Sequence, residues 1–264
     1  MSSPPLVLGD RHGAVLRLTL NRASARNALS LELMEALKTE LATAAQLRDL
    51  HVIVLAADGP TFSSGHDLKE MAAKRSDGDK GRAAYARIFQ SCSELMMAIV
   101  HHPLPVIAEV QGIATAAGCQ LVASCDLAVA SSAARFATPG VNIGLFCSTP
   151  MVALSRNLSR KHAMAMLLTA DMVSAEEALG LGLVNKVSPP ELLTTETMAL
   201  AERIAAKPRA TVRTGKEAFY RQLELPLSEA YAYTSQVMTE NMLAAEAEEG
   251  ICAFLEKRPP NWPA

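Results

Sequence analysis

Two glycine-bearing turns are the places where this sequence has the residue types for chemistry. Ser63-Ser64-Gly65 precedes a predicted helix start near 66–68, and Gly118 lies among small residues before the helix-like run 119–124. The backbone N–H groups at a helix start are unpaired, and the helix dipole there favours negative charge. Two such donors aimed at one oxygen stabilise an oxyanion or enolate. The turns therefore predict an acyl-binding site made from backbone groups.

Composition limits the other functional classes. The chain has 264 residues, is 50% hydrophobic and carries a formal net charge of −2. This charge predicts neither a nucleic acid nor an anionic membrane surface as partner, and 4% aromatic residues do not make a stacking platform for bases. The five cysteines are odd in number and lack a CxxC spacing, which predicts buried thiols rather than disulfides or a metal site.

The termini and the apolar runs give the expected compartment. The opening MSSPPLVLGDRHG has neither the apolar core of a signal peptide nor an Arg-rich amphipathic pattern. Apolar runs stay well below the ~18 residues of a membrane span. We expect a cytoplasmic protein, or a mitochondrial one if a targeting segment has been removed.

The order of the elements predicts an α/β protein. A hairpin over 6–20 is followed by a helix over 31–47, capped by Ser30, and by a β-branched strand over 51–57. This order indicates a parallel crossover unit, and further strands are expected at 105–110, 126–130 and 183–187. In open α/β sheets, ligands bind beyond the carboxyl ends of the strands, where both glycine turns are expected.

The second half of the chain is predominantly helical from residue 149 onward. We predict a core with the acyl site over 1–190 and a helical oligomerisation lobe over 191–264, docked on the core or on a neighbouring subunit. The charged segment 72–82 is either a solvated connection or a loop that covers the substrate.

The chain resembles the enoyl-CoA hydratase/isomerase (crotonase) superfamily over nearly its whole length. The resemblance rests on an ordered set of motifs: LNRASARNALS, PTFSSGHDLKE, PVIAEVQGIATAAGCQLVASCDLAVAS, FATPGVNIGL and SAEEALGLGLVNKV. It implies a spiral of ββα units packed as two approximately perpendicular sheets, followed by C-terminal helices. It also implies an acyl-CoA ligand, no other cofactor, and a homotrimer or a hexamer made of two trimers.

The resemblance assigns roles to particular residues. The oxyanion donors would be the backbone N–H groups of His66 and Ala117. The positions that would contact coenzyme A are Arg26, Ala28, Ser64, His66, Asp67, Leu68, Lys69 and Ala117, with Phe254 and Lys257 reaching the ligand of an adjacent subunit. Alternatives stay open for some of them: Arg26 and Lys257 as plain surface charges, and Asp67 as a helix cap.

The sequence departs from this family where hydratases hold water between two glutamates. Gln120 stands at the first position and Gly140 at the second, and a glutamine cannot exchange a proton at neutral pH. The stretch 147–149 also lacks the single carboxylate that isomerases of the superfamily can use. We expect Asp126 to be structural, Glu109 to be a surface or intersubunit carboxylate, and Cys119 and Cys147 to be small buried thiols.

Three functions stay open at this stage. One is an acyl-CoA-binding protein with feeble or absent hydratase activity. Another is an active enzyme of a different crotonase reaction, such as thioester hydrolysis, decarboxylation or isomerisation. The third is a non-catalytic oligomer that binds CoA esters. Bicarbonate replaces the second carboxylate in related naphthoate synthases, but those enzymes use an aspartate near position 147, where this chain has Cys147.

Overall fold

The computed structural model describes residues 4–263, and across them the strands form two sheets. The larger has the order β1-β2-β3-β5-β7-β10. Strands β1 and β2 form the expected antiparallel hairpin, and the other neighbours pair in parallel. The strand bounds are Val7–His12, Val15–Leu20, Val52–Ala57, Val106–Val110, Leu127–Ser131 and Lys186–Ser188.

The smaller sheet has the order β4-β6-β8-β9. Each of its first three strands follows a strand of the larger sheet in the chain, so the pattern strand, strand, helix recurs. Its strands are Thr61–Ser63, Ile113–Thr115, Arg135–Ala137 and Val173–Ser174. A Cβ on Gly112 would overlap the Pro60 carbonyl oxygen, so the corner between β5 and β6 lies directly on the preceding corner. This arrangement confirms the predicted spiral of ββα units.

The first long helix, α1, lies where the sequence predicts it, over Leu31–Gln46. The Ser30 side chain caps α1 by accepting the Leu33 N–H at 3.2 Å. Leu33, Leu37 and Leu41 on its inner face are buried, and α1 packs against α3. The helices that cover the core are α1 Leu31–Gln46, α2 Leu68–Ala73, α3 Arg82–Val100, α4 Ala117–Ser124, α5 Ser148–Asn157, α6 Arg160–Thr169 and α7 Ala175–Leu181.

Two boundaries differ from the sequence-based expectation. Helix α4 begins at Ala117 rather than at residue 119, because Ala116 already accepts the Gln120 N–H at 3.0 Å. The strand expected at 183–187 is β10, Lys186–Ser188, because Leu183 and Val184 are buried in the turn after α7. No helix within residues 4–263 is long and apolar enough to cross a membrane.

The C-terminal helices are α8 Leu193–Ala205, α9 Arg209–Leu223, α10 Leu227–Met242 and α11 Ala245–Glu256. Helix α8 covers the outer face of the larger sheet, where Leu193 and Ala201 join a cluster with Val52, Val54 and Ile107. Helices α10 and α11 instead expose large apolar side chains, among them Leu227 at 75% and Phe254 at 81%. The division at residue 190 stays a prediction.

A buried polar network attaches α9 to the core. Lys216 Nζ lies 2.7 Å from Asp126 Oδ2 and donates to the carbonyl oxygens of Ile99 and Leu104. The Tyr220 hydroxyl donates to Asp126 Oδ1 at 3.0 Å, and the Val106 N–H donates to Asp126 Oδ2 at 2.7 Å. These contacts agree with the structural role expected for Asp126.

Removing the charge of Lys216 should therefore destabilise the fold. We expect Lys216→Met to lower the free energy of unfolding by about 3 kcal/mol, since it leaves Asp126 without its counter-charge in a mostly buried site. The matched control is Arg11→Met, which breaks the exposed pair with Asp49 and should cost less than about 1 kcal/mol. Urea denaturation measures both, and equal effects would contradict this role for the network.

Candidate active site

The two glycine turns predicted from the sequence are in direct contact. Gly118 packs against the backbone of Ser63, where a Cβ would overlap the carbonyl oxygen and lie 2.8 Å from the carbonyl carbon. Gly65 has a φ of +87°, and a Cβ there would lie 3.1 Å from the Ala117 nitrogen. Real Cβ atoms essentially never come as close to backbone atoms as the Gly118 contact requires, and L side chains rarely adopt the φ of Gly65, so both positions favour glycine.

Two unpaired backbone donors lie near each other where these turns meet. Within residues 4–263, the N–H groups of His66 and Ala117 have no hydrogen-bond acceptor. The Asp67 N–H, by contrast, donates to the Leu29 carbonyl at 3.4 Å, and the Ala116 N–H donates to the Ala137 carbonyl at 2.9 Å. Two adjacent unpaired donors are the arrangement that an oxyanion requires.

The second turn carries backbone strain at Ala116. Its φ of 50° and ψ of −120° lie outside the regions that residues with a Cβ favour. Ala117, which follows it, is the first residue of α4. Strain of this kind costs on the order of 1–3 kcal/mol and persists where the surrounding structure fixes it.

A buried asparagine holds the first turn in place. Asn27 is fully buried, and its side-chain amide donates to the carbonyl oxygens of Asp58 and Thr61 at 2.9 and 2.8 Å. Its own carbonyl accepts the Ser63 hydroxyl at 2.8 Å. The sequence analysis did not identify this role, which depends on contacts with residues more than 30 positions away.

Asp67 caps α2, which is the alternative to a coenzyme A contact that the sequence analysis kept open for this residue. It accepts the N–H groups of Lys69 and Glu70, and it lies 2.7 Å from Arg22 Nη1. Burial alone would raise the pKa of Asp67, but the Arg22 guanidinium and the backbone donors outweigh it and lower the pKa. The carboxylate therefore stays charged and paired at neutral pH.

The residues expected to contact coenzyme A fall into two groups. Arg26, Leu68 and Lys69 are exposed beside the first turn, while Ala28 is buried beneath it. The Ser64 N–H donates to the Arg26 carbonyl at 3.1 Å, which joins these segments. Phe254 and Lys257 are exposed at the end of α11, and no hydrogen bond in the described part of the chain links them to this group.

The two positions at which the resemblance implies carboxylates have different surroundings. Gln120 is buried, and its side-chain amide oxygen, Oε1, accepts a hydrogen bond from the Cys92 thiol at 3.9 Å. A Cβ on Gly140 would lie 2.6 Å from the Leu145 carbonyl oxygen and 2.9 Å from Cys147 Sγ. In this conformation neither a side chain nor a bicarbonate ion has space along the Cβ direction of Gly140.

The thiols near the site are neutral at physiological pH. Burial raises the pKa of Cys92 and of Cys119 to about 12, with Cys147 adding to the effect on Cys119. Burial also raises the pKa of Cys147, partly offset by the Gly140 N–H. Because the thiolate is the nucleophile and base, these side chains contribute volume rather than proton transfer.

Glu109 is not the surface carboxylate expected from the sequence. It is only 3% exposed, its Oε1 lies 2.6 Å from Arg17 Nη2, and it accepts the Thr194 hydroxyl at 2.9 Å. A buried carboxylate is tolerated when it is paired and hydrogen-bonded. The alternation of β5 places Glu109 on the face that α8 covers.

The sequence analysis used only the backbone of His66, yet its side chain is a feature of the site. Its ring packs edge-on against Phe89 of α3, with 5.4 Å between ring centroids. Burial lowers the pKa of His66, partly offset by the Leu29 backbone, so the imidazole is neutral at physiological pH. Among the residues present in the structure, no group completes a three-residue cluster of His, Cys, Asp or Glu suited to a metal.

A family model described as Enoyl-CoA hydratase/isomerase matches residues 10–264. The chain belongs to this family. It is 51% identical over 248 residues to human enoyl-CoA hydratase domain-containing protein 3, mitochondrial. This alignment covers 94% of this chain and 80% of the human protein. The mouse protein of the same name is 49% identical over 261 residues, covering 99% and 85%.

Solved structures agree with these relatives. An enoyl-CoA hydratase from Mycobacterium smegmatis superposes with a TM-score of 0.93 at 52% identity, covering 98% of this chain and 99% of that chain. Human enoyl-CoA hydratase domain-containing protein 3 superposes with a TM-score of 0.92, covering 97% and 100%. These structures confirm the crotonase fold. The relatives also confirm the similarity to enoyl-CoA hydratase domain-containing protein 3, which is carried by the segments SSGHDLKE, AAGCQLVASCD and FLEKRPPNW.

The contact between the glycine turns should tolerate no side chain at position 118. We expect Gly118→Ala to lower the free energy of unfolding by about 1–3 kcal/mol, because the methyl group meets the Ser63 backbone. The matched control is Gly180→Ala on α7, where a Cβ meets nothing within 4 Å and alanine favours the helix. Urea denaturation compares the two, and an unchanged stability for Gly118→Ala would contradict the packing.

The neutral buried thiols should be unreactive in the native protein. We expect a disulfide reagent at pH 8 to label at most Cys252, the exposed cysteine, and all five thiols in denaturant. Absorbance of the released thiolate counts the groups, and a Cys252→Ser variant is the control that should show no native labelling. Rapid native labelling of that variant would show that the thiols near the site are accessible and ionised.

Proposed function

We propose that this protein binds acyl-CoA thioesters and polarises the thioester carbonyl between the N–H groups of His66 and Ala117. The observation that carries the proposal is the pair of adjacent donors without acceptors, held together by a contact that only glycine permits. Two donors aimed at one oxygen stabilise the negative charge that develops on an enolate or a tetrahedral intermediate. Membership of the enoyl-CoA hydratase/isomerase family supports this assignment.

Coenzyme A would lie along the surface beside the first turn. Arg26 and Lys69 offer positive charge to its phosphates, and Leu68, which is 52% exposed, offers apolar contact. Ala28 and Ser64 shape the turn beneath. We further propose that Phe254 and Lys257 reach the ligand of an adjacent copy in a homotrimer or in a hexamer of two trimers. The apolar side chains exposed on α10 and α11 are consistent with such an interface.

Hydration of an enoyl thioester should be feeble. A positioned acid or base contributes about 10²–10⁴-fold, and Gln120 and Gly140 provide neither. We therefore assign to this protein neither the lyase nor the isomerase activity that the family name gives. The proposed acyl-CoA ligand implies a role in acyl-CoA metabolism. The mouse and human relatives are named as mitochondrial proteins. For this chain the cytoplasm stays the predicted compartment.

A second candidate is a reaction that needs the oxyanion donors without the two glutamates. Thioester hydrolysis, decarboxylation and isomerisation are the classes that we consider, and the retained donors favour them over a loss of all function. A non-catalytic oligomer that binds CoA esters is the remaining alternative. No step in any of these routes uses bicarbonate, since the space beside Gly140 is filled.

A crotonyl-CoA assay tests the expectation that hydration is feeble. We expect hydration at least about 100-fold slower than in a family member that has both glutamates. The variant Gln120→Glu restores one carboxylate in a buried site, while Gly140→Glu must displace Leu145 and Cys147. We therefore expect Gly140→Glu to lose stability and the double variant to stay slow. Loss of the enoyl absorbance follows the reaction.

Hydratase turnover at the rate of that family member would contradict the expected weak hydration. Product analysis with a panel of saturated, unsaturated and malonyl-type CoA esters separates the alternatives. Release of free coenzyme A identifies hydrolysis, release of carbon dioxide identifies decarboxylation, and a shifted double bond identifies isomerisation. Binding without any product favours the non-catalytic oligomer, and absence of binding contradicts the central assignment.

A further inference from the structure

The last helix, α11, has little packing of its own. In the described part of the chain, Ala253 is its one buried side chain, whereas Phe254 and Leu255 are 81% and 73% exposed. The helix follows α10 after the short link 243–244. Because the stability of a helix in a protein comes mostly from packing of its apolar face, α11 is weakly fixed in this way. Within one chain, its orientation must come from other contacts.

The residues after α11 fold back and hold the helix. Arg258 makes a two-pronged contact with Glu249, at 2.6 Å from Nη1 to Oε1 and 2.9 Å from Nη2 to Oε2. Its Nε also donates to Glu256 at 2.6 Å, and the Asn261 N–H donates to Glu249 Oε1 at 2.6 Å. The Arg258 guanidinium, and to a smaller extent the Asn261 N–H, lower the pKa of Glu249 to about 2. The pair is therefore charged at physiological pH.

Trp262 joins this tail to the core. Its indole N–H donates to the carbonyl oxygen of Ala206, at the end of α8, at 3.1 Å. Its ring lies against Gly250 of α11, where a Cβ would come within 3.3 Å of the ring. The two prolines at 259–260 have fixed φ angles and so stiffen the connection between the anchors. Residues 258–262, here called the C-terminal strap, tie α11 to α8, which packs on the larger sheet.

The strap leads directly out of the part of α11 that is proposed to meet coenzyme A. Lys257 ends the helix with a φ of 56°, and the Arg258 N–H closes this turn by donating to the Ala253 carbonyl at 3.0 Å. The strap therefore sets the direction of Lys257, and through the orientation of α11 it sets that of Phe254. An exposed aromatic ring beside an ammonium group suits a nucleotide, because the ring stacks on a base and the ammonium group attracts phosphate.

We propose that the C-terminal strap, through Arg258 and Trp262, positions Phe254 and Lys257 for the nucleotide end of the coenzyme A that an adjacent copy binds. Without the strap, both side chains must be ordered when the ligand binds, and this ordering costs affinity. The strap acts through α11 and not by contact with the ligand. This inference rests on the proposed acyl-CoA function and adds to it two positioning residues that the sequence analysis did not assign to the site.

Calorimetric titration with butyryl-CoA and with butyryl-pantetheine, the same thioester without the nucleotide, tests the inference on the full chain. We expect Arg258→Ala to bind butyryl-CoA about tenfold more weakly than the wild-type protein does, with the affinity for butyryl-pantetheine unchanged. Arg258→Lys keeps the charge but not the two-pronged contact, so it should keep part of the affinity. The matched control is Arg156→Ala, which breaks an exposed ion pair with Glu224 and should bind as the wild-type protein does.

The fluorescence of Trp262 reports on the strap directly, because the sequence has one tryptophan. We expect acrylamide to quench this fluorescence more strongly in Arg258→Ala than in the wild-type protein. In the wild-type protein, bound butyryl-CoA should reduce the quenching, because ligand and strap stabilise the same orientation of α11 and the coupling is reciprocal. This second measurement covers the case in which the variant fails to fold.

Three results would overturn the inference and leave the proposed function standing. They are wild-type affinity of Arg258→Ala for butyryl-CoA, an equal loss of affinity for both thioesters, and quenching of Trp262 that butyryl-CoA leaves unchanged. Failure of the wild-type protein to bind butyryl-CoA would overturn the proposed function and the inference together.

Discussion

The site depends on one close contact, between the backbone of Ser63 and Gly118. This contact excludes even a methyl group, and it sets the distance between two turns that belong to different ββα units. The Pro60 and Gly112 corners stack in the same way just beside it. Because the strands lead into these corners, the spiral itself brings the N–H groups of the two turns together, and no side chain has to do so.

The two positions at which the resemblance to hydratases implies glutamates differ from each other in their surroundings. Gln120 stands at the first of them, and its buried side-chain amide is in contact with α3. At Gly140 the following turn closes inward, so that Leu145 and Cys147 occupy the direction a carboxylate would need. Placing a carboxylate there requires movement of the 139–147 segment, so the weak hydration that we propose depends on the fold around the site as well as on the residue types.

Features encoded by neighbouring residues could be predicted from the sequence, and features made by distant residues could not. Ser30 and the leucine spacing after it predicted α1, because capping and periodicity act within a few residues. The glycine turns were visible for the same reason. The pairing of Glu109 with Arg17 joins residues 92 apart, and the contact of His66 with Phe89 depends on how α3 crosses the turn. Neither contact can be predicted from the residues next to it in the sequence. The positive φ of Ala116 could not be predicted either, because alanine normally avoids this conformation.

The central claim is that two backbone donors hold the thioester oxygen. Isotope-edited infrared spectroscopy of butyryl-CoA labelled with carbon-13 at the carbonyl measures this directly, since hydrogen bonds weaken the C=O bond and lower its stretching frequency. The account predicts a bound carbonyl band clearly below that of the ester in water, with the shift lost in Gly118→Ala. A bound band at or above the frequency in water would show that His66 and Ala117 do not polarise the carbonyl, and would contradict the account.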